Sequence, residues 1–193
     1  IRDDGPIAVA LVLDFDTLIA QGGYGTIRTV DMFMSSLRDD DLAGISNLTR
    51  STRTVGRKGP DVWQGLLPSF KPGDGLSLWD GLDQAVASLG QATTRRALLV
   101  ISGRPEGTSS TMAVFGPLRS TLRPEDVARR VQREGVIVYN LALDGASVDR
   151  DVKKLVGSSG GATINVRQNT KLGEVLTDLV DEMHHLYLLG FAP

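Results

Sequence analysis

The chain has 193 residues, 41% of them hydrophobic, with 21 Lys and Arg against 23 Asp and Glu. That is apolar material for one sizeable core and leaves little room for two full domains. A formal net charge of -2 and the absence of cysteine exclude a general polyanion-binding field, disulfides, thiolate metal sites and cysteine catalysis.

Ile7 to Leu13 is a nearly continuous apolar run that ends at Asp14. Its length and its Val and Ile content predict a strand buried on both faces, as in the middle of a parallel sheet. Ile27, Val30, Met32, Phe33, Met34 and Leu37 then load one side of a helix, which the polar cluster Arg38-Asp39-Asp40-Asp41 ends. Leu42 to Leu48 and Ser51 to Val55 are less apolar and are expected to form an outer strand pair, with the turn near Asn47 to Arg50. Leu78, Leu82, Val86 and Leu89 recur at helical spacing, with Gly90 as the expected C-cap. Ala97 to Ile101 is a second buried strand, and Ser102 to Pro117, without periodicity, is a surface loop leaving it. Pro124 followed by Glu125 and Asp126 starts a helix, with proline in the first turn and acids at the positive end. Val136 to Leu141 is the third strand. Leu155 to Gly161 is a helix end running into glycines, and Leu172 to Met183 is the last amphipathic helix. Alternating strands and helices predict a parallel sheet covered on both faces. Such sheets bind ligands in the crevice at the carboxyl ends of their strands.

Several residues invite chemistry. Asp14 and Asp16 stand two apart at a strand end, so either they share a hard cation or they are two solvated loop acids. Gly22-Gly23-Tyr24-Gly25 follows a strand, but it lacks the spacing and the GKS/GKT ending of a phosphate loop. Trp63 and Trp79 sit among leucines and are expected in the core or at its rim. Arg129, Arg130 and Arg133 read as a solvated helix face. His184 and His185 are the only histidines; adjacent on a helix, they point about 100 degrees apart and read as ordinary helix-end residues. With no histidine near the strand ends, a Ser-His-Asp relay cannot be assembled there. No apolar run approaches the roughly 20 residues that span a bilayer, and no segment reads as a signal peptide. Opening on Ile1-Arg2-Asp3-Asp4, the chain is expected to be a fragment of a longer one.

The order of these segments resembles a von Willebrand factor A-type domain, closest to its bacterial, acidobacterial VWFA-related branch, over nearly the whole chain. Val9-Ala10-Leu11-Val12-Leu13-Asp14 stands where that family begins its metal site. The stretch from Gly73 to Leu82 resembles its GGTxLYDAL, Arg96 to Gly103 its RKALVVLTDG, and Val136 to Leu141 its VxIYxIG. Ser159-Gly160-Gly161 fits its TGG, and Glu182 to Pro193 is similar to its ELRxQYxLGYxP. The resemblance implies a three-layer, Rossmann-like α/β fold: a mostly parallel central sheet with helices on both faces and one antiparallel edge strand. It implies a single domain over residues 1–193, with residues 186–193 as a strand leading into a following region.

In that family a divalent ion sits at the top of the sheet, in a metal-ion-dependent adhesion site. Its ligands come from a DxSxS loop, a threonine and an aspartate. Here only Asp14 matches by type. Asp16 replaces the first serine, Leu18 the second, Leu76 the threonine and Ser102 the third-loop aspartate. Leucine supplies no oxygen, so two ligand positions are gone. The resemblance therefore implies a degenerate site with no cofactor, in preference to weak Mg2+ or Ca2+ binding by Asp14, Asp16 and Ser102. The implied function is a non-enzymatic, adhesion-like protein-interaction module. Its rim would comprise Asp14, Asp16, Thr17, Leu18, Leu76, Ser77, Ser102 and Arg104, and its partner would be a protein. Alternatives are metal-dependent binding through Asp14 and Asp16, a structural part of a larger envelope or secreted protein, and a hydrolase on a similar sheet. Family resemblance alone places the chain outside the cytoplasm, in the periplasm or cell envelope.

Overall fold

A computed structural model describes residues 5–13, 24–47, 56–57, 78–101, 120–143, 148–166 and 171–185. Strand β1 (Ile7–Leu13) is the apolar run predicted above, and every residue of it is buried. Helix α1 (Tyr24–Ser36) follows, then β2 (Leu42–Asn47) and the two-residue β3 (Gly56–Arg57). Next come α2 (Leu78–Leu89), β4 (Arg95–Ile101), α3 (Pro124–Glu134) and β5 (Val136–Leu143). The described chain ends with α4 (Arg150–Ser159), β6 (Thr163–Val166) and α5 (Leu172–His184).

The sheet order is β3-β2-β1-β4-β5-β6. The five longer strands are parallel, and β1 is flanked by β2 and β4. Double-sided burial is why β1 lacks polar alternation. Residues Leu42 to Asn47 do belong to the outer pair at one edge of the sheet, and on its inner side β2 pairs in parallel with β1. The antiparallel partner of β2 is Gly56–Arg57, a two-residue bridge rather than a full strand. Ser51 to Val55 lies outside the described residues.

The pleat sorts the core into two layers. Ile7, Val9, Leu11 and Leu13 pack with Leu99, Tyr139 and Leu141 under α1 and α5. Ala8, Ala10 and Val12 pack with Leu98, Val100 and Val138 under α2, α3 and α4. Helix α3 ends one residue before β5 begins, with Gly135 in the left-handed conformation (φ 62). Its amino end is therefore at the carboxyl end of the sheet, and the short αβ links place α1, α2 and α4 likewise. Gly90 is not a left-handed cap; its N–H closes a tight turn onto the Ala87 carbonyl at 3.2 Å.

The Ser159-Gly160-Gly161 motif has a clear physical reason. Gly160, at φ 85, stops α4. Ser159 Oγ accepts from Val138 N at 2.9 Å. Gly161 lies so close to Val138 that a Cβ there would stand 2.8 Å from its carbonyl carbon. Only a residue without a side chain lets α4 turn into β6 against β5 at this point.

Candidate functional site at the carboxyl end of the sheet

Register defines the site. Leu13 is the Cα partner of both Asn47 and Ile101, so three neighbouring strands end at one level. Adjacent strands are about 4.8 Å apart. The exits that lead to Asp14 and to Ser102 are thus side by side, as a crevice at the carboxyl edge requires. Asp14, Asp16, Thr17, Leu18, Leu76, Ser77, Ser102 and Arg104 themselves lie outside the described residues.

The described part of this rim is built by α2 and the segment entering α3. Trp79 N donates to Ser120 Oγ at 3.0 Å. The Asp80 carboxylate accepts from Thr121 N, Thr121 Oγ1 and Leu122 N at 2.9–3.1 Å. An acid in the first turn of α2 complements the helix dipole, and here it also pins residues 120–122 to the rim. Trp79 is buried, which fits the expectation of core packing; Trp63 lies outside the described residues. Asp149 caps α4 by accepting from Asp151 N and Val152 N at 2.7 and 3.3 Å. The free N–H groups of these helix ends are thus partly committed to the chain's own side chains.

The arginines of α3 are neutralised. Arg130 donates to Asp83 of α2 at 2.6 Å, and this hydrogen bond raises its pKa further. Arg129 pairs with Asp126, and Arg133 approaches Glu134 at 3.4 Å. No free basic face is left there to attract a polyanion.

His184 differs from the sequence expectation. It is fully buried at the opposite, amino end of the sheet. Its Nε2 lies 3.0 Å from Asp41 Oδ1, and its Nδ1 lies 2.8 Å from the Val180 carbonyl. A carbonyl only accepts, so Nδ1 carries a proton. Asp41 also accepts from Ile7 N at 3.0 Å and Arg38 N at 2.7 Å. The Arg95 guanidinium donates to the carbonyls of Met183, His184 and Gly5 at 2.8–3.2 Å. This cluster ties the end of α5 to the starts of β1 and β2. Both ring nitrogens of His184 are engaged, so neither is left to act as a general base. The signal was present: His184 stands four residues after Val180, on the stripe of α5 that is buried.

Tyr139 is the other buried polar group of note. Its hydroxyl lies beside Glu182; burial first, then that charge and a hydrogen bond to the same carboxylate, push its pKa up to about 12. Among the described residues no three His, Asp or Glu side chains cluster to hold a metal. Among the described residues no helix is long and apolar enough to cross a membrane.

No protein-family profile matches the chain, and no curated protein is significantly similar to it. Solved structures do match. A von Willebrand factor type A protein from Catenulispora acidiphila superposes with a TM-score of 0.67 at 11% identity, covering 93% of this chain and 42% of that one. BatB from Bacteroides thetaiotaomicron gives 0.62 at 14% identity, covering 93% and 98%. The VWA domain of SpRpn10 gives 0.58 at 12% identity, covering 92% and 94%. This chain therefore spans less than half of the first protein and nearly all of the other two.

Proposed function

We propose that this chain, whose fold is von Willebrand factor A-like, is a non-enzymatic module that binds a protein partner through the loops at the carboxyl end of its sheet. The observation that carries the reading is the common level at which β1, β2 and β4 end, with Leu13 the partner of both Asn47 and Ile101. The engagement of both His184 nitrogens at the far end supports a role without turnover. Likeness to a von Willebrand factor type A protein and to the VWA domain of SpRpn10 supports it at the level of the fold. In this reading the metal-ion-dependent adhesion site is degenerate. Recognition rests on loop shape and on polar contacts from Thr17, Ser77 and Arg104, without an ion. The chain is one domain of a bacterial, exported or envelope-associated protein of the VWFA-related branch.

The second reading is weak Mg2+ or Ca2+ binding by Asp14, Asp16 and Ser102, and it draws on the same adjacency of exits. Calorimetric titration of metal-stripped protein with magnesium, calcium and manganese separates the two. The proposal expects no saturable heat at millimolar ion. Saturable binding that disappears in Asp14→Ala would overturn the ion-free mechanism. Capture of partners from native extract with and without EDTA tests the module itself. The proposal expects a partner that survives EDTA and is lost in Arg104→Glu.

A further inference from the structure

We propose that the outer edge of β6 is a second interaction surface, distinct from the rim, which takes an extended peptide carrying Arg or Lys as an added strand. Among the described residues no strand lies outside β6. Asn140 N donates to the Ala162 carbonyl at 3.0 Å, so Ala162 turns its backbone toward β5. Alternation along the strand then aims the N–H and C=O groups of Thr163 and Asn165 away from the sheet. These groups are a template for another strand.

The surface beside that edge says what kind of strand fits. Ile137 of β5 and Ile164 of β6 are only half-buried on the face covered by α5. One flank of α5 turns to α1: a Cβ on Gly173 would stand 2.5 Å from Met32 Cε, and His184 reaches Asp41. The opposite flank carries Val175, Asp178 and Glu182, one above another at helical spacing. Val175 packs in the same core layer as Ile137 and Ile164, and Glu182 lies beside Tyr139 of β5. Asp178 and Glu182 are exposed, and neither has a basic partner among the described residues.

An added strand would thus meet an apolar strip closed off by two carboxylates. Arginine and lysine match both: their methylene stems cover apolar surface while the charged tip reaches an acid. On the other face the strand would lie beside Thr163 and Asn165, which suit small polar side chains. A second copy of this chain fits poorly. Antiparallel β6 pairing about a two-fold axis keeps both α5 helices on the same face and sets Asp178 and Glu182 against their own equivalents.

The test uses fluorescence anisotropy with the labelled peptide Thr-Arg-Thr-Arg-Thr-Arg-Thr. Saturable binding is expected, with none for the counterpart in which Glu replaces Arg. Glu182→Lys should weaken binding about tenfold. Two N-methylated versions separate strand addition from simple charge attraction. Methyls on the Arg amides or on the Thr amides block opposite edges of the peptide, so one version should lose binding and the other keep it. Equal affinity of the two versions, an unchanged Glu182→Lys, or no binding at all would overturn the proposal. So would concentration-dependent dimerisation in sedimentation that Asn165→Pro abolishes, since the edge would then serve a second copy.

Discussion

Gly161 offers the sharpest test of how β6 is held. A Cβ added there would stand 2.8 Å from the Val138 carbonyl carbon and closer still to its oxygen. Carbon contacts settle at about 3.5–4.0 Å, so Gly161→Ala requires the backbone to shift by roughly 1 Å. That shift falls on two hydrogen bonds, Asn140 N to the Ala162 carbonyl at 3.0 Å and Val138 N to Ser159 Oγ at 2.9 Å. Losing both costs about 2 kcal/mol, and residual crowding adds about 1 kcal/mol. The expected destabilisation is about 3 kcal/mol, or a Tm lower by roughly 6–12 °C for a chain of this size. Gly157→Ala is the internal control. Gly157 lies within α4, is exposed, and a Cβ there meets nothing within 4 Å. It should gain about 0.5–1 kcal/mol through helix propensity. Urea midpoints of the two variants should therefore move in opposite directions. A Gly161→Ala protein within ~0.5 kcal/mol of wild type, beyond ordinary surface-substitution scatter, would refute the close-approach argument.

Three further outcomes are expected. Asp41→Ala removes the acceptor of Ile7 N, Arg38 N and His184 Nε2 in a buried site; it should cost about 3–5 kcal/mol, and a double-mutant cycle with His184→Ala should show coupling above ~1 kcal/mol. Tyr139 has a folded pKa of about 12 against the ordinary 10.0, so the unfolded chain gives up the proton first. Stability present below pH 10 should be lost progressively from pH 10 to about 12, by up to ~2–3 kcal/mol, and Tyr139→Phe should flatten that part of the urea-midpoint profile. Asp80→Ala frees the amides of Thr121 and Leu122 from their carboxylate; it should cost about 1–2 kcal/mol and accelerate hydrogen exchange at those two amides.

The central strands were legible because burial on both faces writes itself as an apolar run, in Ile7 to Leu13 and again in the stretches ending at Ile101 and beginning at Val136. Strand β2, its run diluted by Gly44, Ser46 and Asn47, shows the weaker apolar character of the outer pair it forms with β3, and it also lies against β1. Gly90 does follow the last residue of α2 and closes its end onto Ala87, though without the left-handed conformation that Gly135 adopts after α3. The acid at Asp41 looked like one of three helix-ending aspartates. Residue type does not separate it from Asp39 and Asp40, because beyond the local bond from Arg38 N its partners arrive from Ile7 and from His184. The side-by-side exits of β1 and β4 depend on pairing register, which no single segment of sequence carries.

That same pairing sets a schedule for synthesis. Strand β1 belongs between β2 and β4, and its partner residues in β4 begin only at Arg95. At ribosomal rates of about 5–20 residues per second, its apolar segment waits on the order of ten seconds for its second neighbour. During that interval the most water-averse stretch of the chain has one flank unpaired, when it is most open to a chaperone or to another nascent chain. The order in which the strands are made therefore differs from the order in which they lie, and the long-range closure of β1 on β4 is the step expected to limit folding.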